Sequence, residues 1–268
     1  MSFGAYQEKG HPMAASQGRL HGTTAVVTGA SSGIGRATAL RLAEEGAAVV
    51  LVARREDKIG EVADAISAQG GRAVTAALDI ADADAAARAV ETAVSEFGRL
   101  DILVNAAGVM LNGDTLQAEL REWDAMVDVN LKGLMYMTKA ALPHLLDAAK
   151  TSDRQVSDVV NISSVAGRAA APTVAIYNAT KFGVTAATES WRQEYTRSNV
   201  RFSVVEPGAV DTGLFGHQQQ HAQEQSATMF AGVEKLHPED IADAVAYIAT
   251  SPRRRAVNEM VVRPTDQA

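Results

Sequence analysis

The chain has 268 residues, 47% of them hydrophobic, with a formal net charge of −7 and no cysteine. That length buries one large core, the acidic balance offers no general field for nucleic acid, and the missing thiols exclude a disulfide framework, a cysteine nucleophile and a Cys-ligated metal. No apolar run is long enough to span a membrane and the polar first twenty residues lack the apolar centre of a signal peptide, so the expectation is a cytoplasmic protein with a loose arm at 1–20 and a single domain at 21–268.

In chain order, Thr24–Thr28 reads as a strand ending at Gly29, Ile34–Glu45 as a helix, and Ala48–Val52 as a second strand. Arg55–Ser67 reads as a helix broken by Gly70-Gly71, Ala73–Leu78 as strand three, Asp82–Phe97 as an Ala-rich helix and Ile102–Val104 as strand four. Trp123–Ala149 forms one long helical region or two abutting helices, and Val159–Ile162 is strand five. Val174–Ser198 is a helix, Phe202–Val205 strand six, Pro238–Thr250 a helix with proline in its first turn, and Met260–Val262 a last strand. Lys150–Ser157 and Gly216–Ser226 read as polar surface insertions. The strands are apolar throughout and alternate with helices of about a dozen residues, the signature of a parallel sheet covered on both faces. The predicted fold is α/β, a three-layer doubly wound parallel sheet (Rossmann fold) of about seven strands.

Between the first strand and first helix lies Thr28-Gly29-Ala30-Ser31-Ser32-Gly33-Ile34-Gly35. Glycines there permit a tight turn and bring backbone N–H groups at a helix N-terminus close to a pyrophosphate. The second strand ends in Ala53-Arg54-Arg55. An NAD site wants a carboxylate at that point for the ribose hydroxyls, whereas a guanidinium grips the additional phosphate of NADP, so NADP(H) is expected, with Arg54 the better candidate and Arg55 helping or facing water.

Tyr177 and Lys181 stand four apart, which on a helix puts phenol and ammonium on one face. A lysine charge roughly 6 Å from the phenol, at an effective dielectric near 20, favours the phenolate by about 3 kcal/mol, or about two pKa units, and a second cation would bring the tyrosine into the working range.

These motifs resemble, in order, those of the short-chain dehydrogenase/reductases: Thr28–Gly35, Asn105-Ala106-Ala107-Gly108, Asn130, Asn161-Ile162-Ser163-Ser164, Tyr177–Lys181 and Pro207-Gly208-Ala209-Val210-Asp211-Thr212. Leu134–Thr138, Ala179–Val184 and the tail Arg263–Gln267 are most similar to the NADP-dependent 3-hydroxy acid dehydrogenase and clavulanate dehydrogenase-like branch. The resemblance implies that Gly29, Ser31, Ser32 and Ile34 contact the cofactor, with Gly33 and Gly35 shaping the backbone. It places Asp79 and Ile80 at the adenine, Asn105, Ala106 and Gly108 along the cofactor, and Pro207, Gly208, Val210 and Thr212 around the nicotinamide. Tyr177 would exchange the proton of an alcohol or carbonyl, Ser164 would bond its oxygen, Lys181 would tune Tyr177 and bind the nicotinamide ribose, and Asn130 would hold a water linking Lys181 to solvent. The family's usual second asparagine is Ala107 here.

No metal site is expected. The substrate would be a small carbonyl compound or alcohol in a pocket drawn from Val109–Leu116, Val165–Thr173 and Thr212–Phe230, with Met110, Leu111, Leu214, Phe215, Met229 and Phe230 as its apolar lining and Arg168 as a candidate clamp for a carboxylate. A homodimer or homotetramer through the two long helices is expected, without nucleic acid or membrane partners. Two rivals share the scaffold. A halohydrin-dehalogenase-like enzyme would carry arginine in place of Lys181 and no glycine loop, and an NADP-sensing regulator would have a degraded Ser/Tyr/Lys set.

Overall fold

The computed structural model describes residues 18–214, 228 and 230–267. The arm at 1–17, the loop at 216–226, Phe215 and Met229 lie outside the described residues. Seven strands form one parallel sheet in the order β3-β2-β1-β4-β5-β6-β7. They are β1 (Thr24–Thr28), β2 (Ala48–Ala53), β3 (Arg72–Ala77), β4 (Ile102–Asn105), β5 (Ser157–Ile162), β6 (Val200–Pro207) and β7 (Glu259–Val262). The helices are α1 (Gly33–Glu44), α2 (Glu56–Ala68), α3 (Ala83–Phe97), α4 (Leu120–Val127), α5 (Leu134–Thr151), α6 (Ala175–Tyr195) and α7 (Pro238–Ala249).

Alternate strand residues feed two separate cores, because successive side chains leave opposite faces of a strand. Val27, Val49, Leu51, Ile102 and Val104 pack under α1, α2 and α7 with Leu42, Ile59, Ile66 and Val245. Val26, Val50, Val52 and Leu103 pack under α3, α5 and α6 with Val90, Met137, Leu145 and Phe202. Burial on both faces is why these strands read as unbroken apolar runs.

Two expectations change. The long helical region is α4 and α5 joined by a π-helical stretch, Asp128–Gly133, with Asn130 buried inside it. The stretch 150–157 is only in part at the surface. Its first residues complete α5, Ser157 opens β5, and Ser152, Val156 and Ser157 are buried. Charge pairing explains the anchoring: Arg154 Nη2 lies 2.8 Å from Asp158, whose other oxygen accepts from Arg201 Nε at 2.6 Å. Arg201 also donates to the carbonyls of Ser251 and Arg255, closing the turn after α7.

Candidate active site

The strand order reverses between β1 and β4, and β1 and β4 are followed by connections that leave for opposite faces of the sheet. A crevice opens at such a switch point, beyond the carboxyl ends of the strands. Here it is a cavity of about 910 Å³.

One end is built by the glycine loop. Gly29 sits at φ +68, and a Cβ there would stand 2.8 Å from Ala107 Cα, so only glycine lets the loop pack against the segment after β4. Thr28 Oγ1 accepts the N–H groups of Ala106 and Ala107 at 3.0 and 3.1 Å, tying the same two segments together. Ala107 is thereby held through its backbone. At Gly35 a Cβ would lie 2.4 Å from the Gly29 carbonyl oxygen. Ser32 caps α1 without a side-chain bond to its first turn, leaving those N–H groups open to an anion. The Arg55 guanidinium donates to Ser31 Oγ at 3.0 Å and Ser32 Oγ at 3.1 Å, so Arg55 is organised by the loop instead of simply facing water. Arg54 is 69% exposed and stands 3.8 Å from Asp79. Both arginines, Asp79 and Ile80 line the cavity, as do Ser31, Ser32, Gly33 and Ile34. An open helix terminus, a glycine cradle and two guanidinium groups fit the phosphates of a dinucleotide.

The other end carries the titratable cluster. Ser164 follows β5, and its Oγ accepts the Ala166 N–H at 3.1 Å, fixing it at the start of a short 3₁₀ turn. Tyr177, on the first turn of α6, is hydrogen-bonded to Ser164. Lys181, one turn on, donates to the Ile162 carbonyl at 2.9 Å, and its Nζ lies 5.6 Å from the Tyr177 ring centroid. Thr185 continues the stripe. Its hydroxyl donates to Glu206 at 3.1 Å, while Ser163 Oγ donates to the Lys181 carbonyl at 3.0 Å. Burial sets the acidities. The phenol is pushed up to about 12 by desolvation, with the Ser164 bond pulling the other way. The same burial brings Lys181 down to about 8. The side-chain pair alone therefore does not deliver the lowered tyrosine expected from its spacing, because burial taxes both charged forms.

Ala106 and Gly108 line the cavity, with Pro207, Gly208, Val210 and Thr212 on the opposite wall. Asn105 and Asn130 stand one layer behind it. Asn105 is buried and donates to Asn161 at 2.9 Å and Thr138 at 3.2 Å, so it braces β4 against β5 and α5 instead of lying along the cavity. Asn130 exchanges two 2.8 Å bonds with the Val109 backbone and reaches Thr180 at 3.3 Å. A Cβ on Gly108 would sit 3.3 Å from Asn130 Oδ1 and 3.8 Å from Lys181 Nζ, so these groups converge on one point.

Met110, Leu214 and Phe230 line the substrate end as expected, whereas Leu111 packs behind the wall near Trp123. Arg168 is no carboxylate clamp. Its guanidinium is paired with the fully buried Glu206 and with Glu259, away from the cavity. Sequence reasoning put Asn112 inside the wall segment 109–116 without giving it a role, and missed Arg263 and Gln267 in the lining. The Gln267 side chain accepts the Ala209 N–H at 2.8 Å, folding the tail back over the segment after β6. Its only sequence signal was the tail motif itself.

The cleft at the switch point of this doubly wound sheet thus carries the glycine loop and the Ser164/Tyr177/Lys181 cluster on one continuous wall. The short chain dehydrogenase family model matches residues 23–223, and the chain belongs to that family of oxidoreductases. It is 37% identical over 240 residues to an uncharacterized oxidoreductase of Staphylococcus aureus (strain USA300), covering 90% of this chain and 96% of that one. It is also similar to a metagenomic short-chain oxidoreductase solved with NADP, at 36% identity, TM-score 0.77 and coverage of 92% and 99%. A 3-ketoacyl-(acyl-carrier-protein) reductase from Brucella melitensis, solved with NADH, matches at 31% identity, TM-score 0.81 and coverage of 93% and 100%. Among the described residues, no helix is long and apolar enough to cross a membrane and no group of side chains forms a metal site.

Proposed function

We propose that this protein is an NADP(H)-dependent oxidoreductase that interconverts an alcohol and a ketone or aldehyde. The observation that carries the reading is one cavity holding Arg54 and Arg55 at one end and the hydrogen-bonded Ser164–Tyr177 pair, backed by Lys181, at the other. NADP(H), when bound, supplies the hydride chemistry. The residues of the chain do the rest. The glycine loop and the α1 N-terminus take the diphosphate, and the two arginines take the additional phosphate that distinguishes NADP from NAD. Ser164 donates to the carbonyl oxygen where negative charge develops, and Tyr177 gives that oxygen its proton, or removes it in the reverse direction. Lys181 holds a positive charge beside the phenol and anchors the nicotinamide ribose. Asn130, held in the π-helical stretch, places a water that connects Lys181 to solvent. Intact Lys181 and glycine loop leave nothing to favour the dehalogenase or the regulatory reading.

Met135 on α5 and Phe182 on α6, each 43% exposed, support pairing of these helices with a second copy of the chain.

The test is an NADPH and NADH oxidation screen across ketones and aldehydes, run beside Tyr177→Phe. NADPH should be the better donor, and Tyr177→Phe should lose at least about 100-fold in turnover, as expected for a missing proton-transfer group. Preference for NADH would refute the role of the arginines. Full activity of Tyr177→Phe would refute the proton relay.

A further inference from the structure

The wall near Tyr177 contains one polar group that neither the fold nor the proposed proton relay uses. Asn112 follows β4 by a short loop, is 7% exposed, and lines the cavity two residues beyond Met110, which packs against Tyr177. Its side-chain oxygen is buried without a hydrogen-bond partner. Its amide nitrogen is not among the buried unpartnered atoms, so it is the end that stays accessible. Turning the amide over exchanges the two ends and changes nothing else: one end faces open space and the other is orphaned.

The surroundings make this costly. Val109, Met110, Pro172, Val174, Leu214 and Phe230 present apolar surface on the same cavity. The backbone holds the residue there, since the next N–H, of Gly113, donates to the Thr173 carbonyl at 3.1 Å. Thr173 itself sits at φ 67, a strained conformation for a β-branched side chain. A leucine, with the same branching and no polar atoms, would satisfy the wall better. Asn178, by contrast, spends its amide on the Ala166 and Ala169 carbonyls and the Ala171 N–H, so it braces the loop after β5 and is not available.

We infer that Asn112 is a specificity-determining residue, which hydrogen-bonds a second oxygen function on the substrate, a hydroxyl or a further carbonyl, near the carbonyl that Tyr177 protonates. The inference rests on the oxidoreductase reading above and names its substrate class: oxygenated carbonyl compounds in preference to plain hydrocarbon ketones. A wall that is largely apolar around one unspent amide accepts the oxygenated member by supplying its bond, and accepts the hydrocarbon member only by leaving the amide dry.

The experiment uses two isosteric ketones, hydroxybutanone with its terminal hydroxyl and methyl propyl ketone with methyl in its place, and the next longer pair. Each is assayed with NADPH on wild type, Asn112→Leu and Asn112→Ala. The ratio of kcat/KM, hydroxylated over hydrocarbon, should fall about tenfold in both variants for at least one pair, the factor expected for one lost neutral hydrogen bond. Methyl propyl ketone should be kept or improved, and the Tm of Asn112→Leu should equal or exceed that of wild type. An unchanged ratio in both pairs overturns the inference. So does a lowered Tm of Asn112→Leu with an unchanged ratio, which would assign the amide to the adjoining cavity of about 10 Å³, large enough for a single water. If neither ketone is reduced, the same ratio is read from their dissociation constants on the NADPH complex. A shifted binding ratio without turnover keeps this inference and sinks the proposed reaction, while turnover with an unshifted ratio does the reverse.

Discussion

Replacing Lys181 by methionine isolates what its charge does for Tyr177. At 5.6 Å from the ring centroid and an effective dielectric of about 20, a unit charge favours the phenolate by about 3 kcal/mol, or about two pKa units. The charge is present near neutral pH, because Lys181 retains its proton up to about 8. Its field opposes the burial that pushes the phenol up to about 12, and without it only the Ser164 bond does so. Every other influence on the phenol is common to both proteins and cancels in the difference. In the alcohol-oxidising direction, where Tyr177 must accept a proton, the rising limb of the kcat profile at saturating NADP⁺ should move up by about two pH units in Lys181→Met. The rate on that limb then falls by about 100-fold. Lys181→Arg keeps the charge and should keep most of the profile. The two groups are close enough to titrate together, so the comparison is between whole profiles and not single-residue values. Superimposable profiles, or a loss in Lys181→Met that is the same at every pH, would show that Lys181 acts only as an anchor.

Other consequences are separable from that one. The folded-state pKa of Lys181 lies below its ordinary 10.5, so between about 8 and 10.5 the unfolded chain binds the extra proton and this group makes stability rise with pH. The stability difference between wild type and Lys181→Met should therefore swing by about 3 kcal/mol towards wild type across that window, measured by urea titration, and a flat difference would refute burial as the cause. Arg54→Ala with Arg55→Ala should weaken NADPH binding by about tenfold or more at low salt and leave NADH unchanged; an equal loss for both cofactors would point to the diphosphate instead. Gly29→Ala forces a left-handed φ and a contact onto Ala107, which should cost about 2–4 kcal/mol and be visible as a drop in Tm. Arg201→Ala leaves Asp158 buried with only Arg154, and chemical denaturation should register a loss of about 3 kcal/mol.

The fold was legible because its signal is local and repeated. Ala48–Val52 needs only its own apolar run to be recognised, and the strand observed is one residue longer. The glycine loop and the Tyr177/Lys181 spacing were legible for the same reason, since neighbours in sequence are neighbours in space. What failed depends on distant partners. Arg168 read as a free cation because Glu206 and Glu259, 38 and 91 residues away, cannot be seen from its own surroundings. Asn105 read as a cofactor contact, yet its bonds run sideways to Asn161 and Thr138. The π-helical stretch around Asn130 has no residue signature, as one widened turn changes hydrogen-bond spacing without changing composition.

Burial also explains why the cluster needs so many neutral supports. In water the phenol and ammonium titrate almost together, at 10.0 and 10.5; in the protein they stand near 12 and 8. The shift opens a gap in the sense that favours two neutral groups, so desolvation works against holding an ion pair at rest. The surrounding hydrogen bonds are correspondingly to backbone carbonyls and hydroxyls: Ile162 for Lys181, Ser164 for Tyr177, and Ser163 for the helix turn that carries both. Among the described residues, the buried carboxylate in this neighbourhood is Glu206, which is neutralised by Arg168 and meets α6 through the Thr185 hydroxyl. A carboxylate next to Lys181 would have fixed its charge by direct pairing and spent it there. Keeping Glu206 one turn away leaves the ammonium's field directed at the phenol, which is where the proposed chemistry uses it.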